Sequence, residues 1–156
     1  MKNFTKGTFV PTNPGKYVGT YPITYRSSWE LRVMKVFDAH PNVLQWASEG
    51  IAIPYYNPVL ERPANYFPDF LIKVQDADGN IVSTMIEVKP ENQAVVEKAK
   101  SKRNKLEWVV NMAKWNNAQK WCEERGIVFK VMTEHDIFHT RSEERRVGKE
   151  CLRLCR

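Results

Sequence analysis

Two acids and a lysine stand out by type and spacing: Asp69 in Tyr66-Phe67-Pro68-Asp69-Phe70, and Glu87 with Lys89 in Ile86-Glu87-Val88-Lys89-Pro90. Seventeen residues separate the two acids, enough for two strands joined at Asp76-Ala77-Asp78-Gly79-Asn80, a strong turn signal. Antiparallel pairing of residues 66–74 with 81–89 brings Asp69 alongside Glu87 and Lys89. These last two are two residues apart and so project from the same face of their strand. Two carboxylates and an ammonium then converge at one edge of a sheet. Hard oxygen ligands on a rigid strand pair suit Mg²⁺ or Mn²⁺, which keep several waters and bind phosphate oxygens. Such an ion polarises a phosphate and lowers the pKa of a coordinated water. An ammonium beside it stabilises charge developing on the phosphate. The chemistry implied is hydrolysis of a phosphodiester.

A lone Glu-x-Lys carries little weight, because such pairs are common on exposed strands and the Asp-Gly turn explains the hairpin by itself. Here Met85, Ile86 and Val88 flank the acid. They place the charges at the end of a buried strand, where charged residues are uncommon without a partner or a task.

The surrounding pattern supplies elements to position these groups. Ser27 and Ser28 are plausible caps for a helix over residues 26–40, in which Trp29, Val33, Met34 and Phe37 recur at helical steps and Pro41 stops the run. Short β-like runs follow at 43–46 and 51–55, ahead of the hairpin. A long helical region covers 92–125, broken near 101–104, with an apolar stripe of Leu106, Val109, Val110, Ala113, Ala118, Trp121 and Cys122. Gly126 suits the position just past its end, and residues 127–132 read as a final strand. The expectation is an α/β fold: a mixed β-sheet flanked by helices.

Taken together, Pro68-Asp69 and Glu87-Val88-Lys89 resemble the PD-(D/E)XK motif of restriction-endonuclease-like nucleases. Arg26-Ser27-Ser28-Trp29-Glu30-Leu31 resembles the first-helix motif of the branch holding transposon end-cleaving nucleases and the head completion nucleases of T4-like tailed phages. The phage members are the nearer match, through Trp46-Ala47-Ser48-Glu49 and Ile53-Pro54-Tyr55 as well, over residues 6 to about 138. The resemblance implies a restriction-endonuclease-like fold, with Asp69, Glu87 and Glu30 as metal ligands and Lys89 as the catalytic lysine. Glu30 also reads simply as an exposed helix residue. Glu49 is a further candidate near the metal, or a residue ending a turn before Gly50. The implied role is cleavage of DNA with Mg²⁺ (or Mn²⁺) during head completion before tail joining. Phage portal or head-neck proteins would be partners, and the host cytoplasm or the virion the location. Two other readings stand beside it: a non-catalytic head-neck or DNA-binding protein, and a transposon- or resolvase-like endonuclease.

Composition limits the remaining choices. The chain carries 24 Lys/Arg and 18 Asp/Glu for a net +6. Residues 141–156 hold six and three of these, leaving 18 and 15 in the first 140 residues, a net of only +3. From Arg141 to Cys151 the sequence matches, residue for residue, one reading frame of a common short-read sequencing adapter. Residues 141–156 are therefore set aside as a non-native tail, residues 25–140 as the nuclease domain, and residues 1–24, rich in Gly, Pro and Thr, as an extended arm. Two of the three cysteines lie in the tail, so Cys122 alone offers neither a disulfide framework nor a zinc set. No apolar run is long enough for a bilayer span and no secretory signal is expected. For DNA contact the candidates are Arg26 and the basic run with Lys102, Arg103 and Lys105, which also includes Lys98 and Lys100, followed by Lys114 and Lys120. Taken singly, each of these lysines reads as part of a solvated helix face.

Overall fold

The computed structural model describes residues 6–94, 101–133 and 135–136. The tail from Arg141, together with Lys98 and Lys100, lies outside the described residues.

A four-stranded mixed sheet forms the centre, in the order β3-β6-β7-β8. Its strands are β3 (Val43–Ser48), β6 (Phe70–Gln75), β7 (Ile81–Val88) and β8 (Val128–Met132). β6 pairs antiparallel with β3 on one side and β7 on the other, with Trp46 opposite Ile72 and Phe70 opposite Ile86. β8 joins β7 in parallel, Glu87 facing Val131. A parallel neighbour needs a crossover, and α3 (Lys102–Glu123) lies on that path after the short α2 (Glu91–Ala94). The Asp76–Asn80 turn closes the β6–β7 hairpin as expected: Asp76 Oδ1 accepts the Asp78 and Asn80 N–H groups at 3.0 and 2.8 Å. Gly79 supplies the positive φ, 83°, that this turn needs.

Alternation along the sheet divides the core in two. Phe70, Ile72, Val74, Ile86 and Val88 face α1 (Ser28–Ala39), whose Val33, Met34 and Phe37 are buried against them. Met85 and Leu71 face α3, with Trp115, Ala118 and Cys122. The buried face of α3 is Asn111, Trp115, Ala118 and Cys122, which corrects the sequence-read stripe at its front end. Leu106 and Val109 are exposed there. A separate hairpin, β4 (Ile53–Asn57) with β5 (Arg62–Tyr66), packs its Ile53, Tyr55 and Tyr66 against α3.

The segment read as an extended arm contributes to the core. β1 (Gly7–Phe9) pairs antiparallel with β2 (Ile23–Tyr25), and Phe9, Tyr17 and Ile23 are buried around Trp46. The buried Asp38 of α1 fixes the turn between them by accepting the N–H groups of Thr12 (2.9 Å) and Asn13 (3.1 Å). A Gly- and Pro-rich composition predicts irregular backbone, and it is satisfied here by a side chain rather than by a long ladder.

Candidate active site

The register of β6 and β7 builds the site. Phe70 stands opposite Ile86, so one step further Asp69 comes across from Glu87. Asp69 Oδ2 accepts the Val88 N–H at 2.8 Å, and its carbonyl accepts the Glu49 N–H at 3.1 Å, which ties the ends of β3, β6 and β7 together. β6 and β7 are the inner strands of the sheet. The charges therefore gather at the end of a central pair, where protein covers both faces, and not along an outer strand. Glu87 is only 4% exposed. Its Oε2 accepts the Tyr66 hydroxyl at 2.8 Å and its Oε1 lies 3.4 Å from Lys89 Nζ. The Lys89 N–H donates to the Met132 carbonyl at 2.8 Å, holding the lysine in line with β7.

Electrostatics follow from this crowding. Burial, and then the charge of Glu87, raise the Asp69 carboxyl to about 8, against the pull of the Val88 N–H. Glu87 is raised mainly by burial, opposed chiefly by Lys89 and by the Tyr66 hydrogen bond. Burial and the adjoining Glu87 push the Tyr66 phenol far above its usual range. Two carboxylates that cannot both be charged at low cost form a place where a divalent cation relieves the repulsion. Among the described residues no three His, Cys, Asp or Glu side chains converge to form a protein ligand set of their own. A pair of acids suits Mg²⁺ better than a cage would, since that ion takes one or two carboxylates and fills its remaining positions with water and phosphate oxygens.

The raised acids set a pH dependence. Between the ordinary Asp value of 3.8 and about 8 the folded chain holds more protons at this pair than the unfolded chain does. Stability therefore falls as pH rises through that window, the reverse of ion-paired carboxylates. In EDTA the Asp69→Asn variant is expected to lose this component, so that its melting temperature drops less than the native chain's between about pH 5 and pH 8. Parallel melting curves for the two proteins would refute the coupling.

The other sequence-selected residues are placed as follows. Glu30 is half-buried at the N-terminus of α1, near enough for its charge to raise Asp69. Its N–H donates to the Ser27 hydroxyl at 3.1 Å, and its Oε2 accepts the Arg26 N–H at 2.9 Å. It thus supports the start of α1 while its charge lies beside the site. Arg26 forms an ion pair with Glu49, linking the start of α1 to the end of β3. Lys102, Arg103 and Lys105 are exposed on the first turn of α3, and Arg103 is engaged by Glu107 at 3.1 Å. Sequence reasoning missed Tyr66, which orients Glu87, and named Lys114 only as one of several basic residues for DNA contact, without singling it out beside the acids. The Lys114 ammonium lies 5.9 and 5.8 Å from the ring centres of Tyr55 and Tyr66. Burial, and then Lys89, hold it below the usual lysine range. The signal was present: Lys114 adjoins Trp115 and follows Asn111 by three, so its stem runs beside the buried face of α3.

Known proteins share this arrangement of sequence. The family model described as TnsA-like endonuclease, N-terminal, matches residues 40–134, a span that includes Asp69, Glu87 and Lys89. The head completion nuclease of Enterobacteria phage T4 is 37% identical over 142 residues, covering 84% of this chain and 92% of that protein. With most of both chains aligned and the family match running through the central sheet, the protein belongs to the TnsA-like endonuclease family of restriction-endonuclease-like nucleases.

Proposed function

We propose that the protein is a Mg²⁺-dependent deoxyribonuclease that hydrolyses DNA phosphodiester bonds, and that it serves head completion in a tailed phage, as its T4 relative is named for. The observation that carries this reading is the meeting of Asp69 with the buried Glu87 and Lys89 at the end of two inner strands. Restriction-endonuclease-like nucleases generally use divalent metals. Asp69 and Glu87 would hold the ion, which supplies Lewis acidity and a water of lowered pKa. Tyr66 keeps the Glu87 carboxylate oriented, and Lys89 places its positive charge where charge grows on the phosphate. Glu30, whose charge reaches Asp69, would be a third acid beside the ion. A protein serving only as a scaffold has no use for an acid buried between a tyrosine and a lysine, because such burial costs stability. DNA is then the substrate, portal or neck proteins the assembly partners, and the infected cell the setting.

Incubation of supercoiled and linear DNA with Mg²⁺, Mn²⁺ or EDTA tests the reading. Cutting is expected with either metal and none in EDTA. Folded protein that cuts nothing with any divalent ion would contradict it.

A further inference from the structure

A cleft of about 470 Å³ opens beside the site, between the β4–β5 turn and the N-terminal half of α3. Its charged lining residues are Lys89, Lys114 and Glu107. Glu107 is turned to Arg103, 3.1 Å away along the same helix, so the two lysines dominate the charge that the cleft presents. Lys114 is held there by the rings of Tyr55 and Tyr66, which favour a cation over their faces and hold the ammonium in place. Three residues earlier on α3, Asn111 is 6% exposed and lines the same cleft. An amide lining the cleft beside Lys114 can donate a hydrogen bond to an anionic oxygen. Val59, Leu60 and Val110 supply apolar walls.

We propose that Lys114 and Asn111 form a second phosphate-binding point of the nuclease, in which Lys114 contacts a DNA backbone phosphate and Asn111 hydrogen-bonds to the same strand. The inference rests on the reading of the site as a DNA nuclease and extends it, because Lys89 alone is one cation and the cleft offers two. When a divalent ion neutralises Asp69 and Glu87, Lys114 loses the acids that offset its charge, and an anion becomes its natural partner. Lys114 would then be a substrate contact on α3, an element that contributes nothing to the Asp69, Glu87 and Lys89 set.

The experiment compares binding of a labelled, cleavage-resistant phosphorothioate DNA duplex in Mg²⁺, across a range of KCl, by the native chain, Lys114→Met and Lys114→Arg. Methionine keeps the apolar stem against the tyrosines and removes the charge. Lys114→Met is expected to bind several-fold more weakly, with the slope of log affinity against log salt smaller by about one phosphate contact. Lys114→Arg should regain most of the slope. Asn111→Ala should weaken binding with its salt slope unchanged, as fits an uncharged contact. With Mg²⁺, Lys114→Met should show a raised KM and a largely retained kcat. A native slope in Lys114→Met, with native cleavage, would overturn the second contact while leaving the nuclease reading intact. A native chain that neither binds nor cuts DNA would remove both.

Discussion

Lys89→Ala is expected to cut DNA about 10²–10³-fold more slowly than the native chain in Mg²⁺, while its melting temperature changes little. The size follows from the position of the ammonium: 3.4 Å from Glu87, half-buried, and at the end of an inner strand. A charge in such surroundings is poorly screened, so its loss is felt fully by the charge that forms on the phosphate. There is a second route to the same loss. Without Lys89, the strongest influence opposing the burial of Glu87 disappears, and the carboxyl is driven further toward its neutral form. A neutral Glu87 is a poor metal ligand, and by taking up a proton it also spares the fold. A Mg²⁺ titration separates the two routes. Activity that returns fully at high metal would mean that Lys89 acts only through Glu87, whereas a deficit that persists at saturation places its charge at the phosphate, the expected result. Glu87→Gln should be at least as slow and should bind metal more weakly. Native rates in both variants would dismiss the assignment of this site.

How far the sequence could be read depends on where each element gets its stability. The β6–β7 hairpin is legible because local chemistry defines it: an Asp-Asn turn with Gly79 at positive φ, and strands whose alternation matches their two buried faces. That register alone was enough to bring Asp69 to Glu87. α1 is equally local, with Ser27 as its cap and Pro41 just beyond its end. β5 is not local. Arg62-Pro63-Ala64-Asn65-Tyr66 has little β-propensity, and it becomes a strand because Asn57 Oδ1 fixes the turn through the Val59 and Leu60 N–H groups, both at 3.0 Å. Tyr66 was therefore read as the start of the next strand, although it ends β5 with its hydroxyl on Glu87. The front of α3 misleads for a different reason. Leu106 and Val109 follow a helical apolar period, yet both are exposed, and Leu106 borders the cleft. Periodicity identifies a helix without saying what covers it. Lys114 and Tyr66 belong to the same lesson, as both reach the site only through tertiary packing.

Trp46→Ala should destabilise the fold by about 3–5 kcal/mol, a large part of what a domain of this size possesses. Trp46 is 0% exposed. Its ring centre lies 4.7 Å from that of Tyr17, 5.9 Å from Phe9, 6.2 Å from Phe37 and 6.4 Å from Phe70. Those partners come from four places: the N-terminal segment at two points, α1, and the neighbouring strand β6. One side chain thus joins the arm, the helix and the sheet, and its removal leaves a cavity that no single element can fill by moving. The indole N–H has no hydrogen-bond partner among the described residues. Trp46→Phe therefore sacrifices volume without a polar contact, and should cost distinctly less than the alanine variant. Denaturant titration followed by circular dichroism gives both values. A lowered midpoint with an unchanged slope is expected for Trp46→Ala, since the arm and the sheet share a core and should unfold together. An alanine variant as stable as the native chain would mean that the N-terminal segment contributes nothing to the core. Activity provides a further check, because β3 ends one residue before Glu49, whose N–H holds the Asp69 carbonyl. At temperatures where Trp46→Ala remains folded it should still cut DNA. Its activity should then fail in step with unfolding, whereas Lys89→Ala is slow at every temperature, which separates a residue that holds the site together from one that works within it.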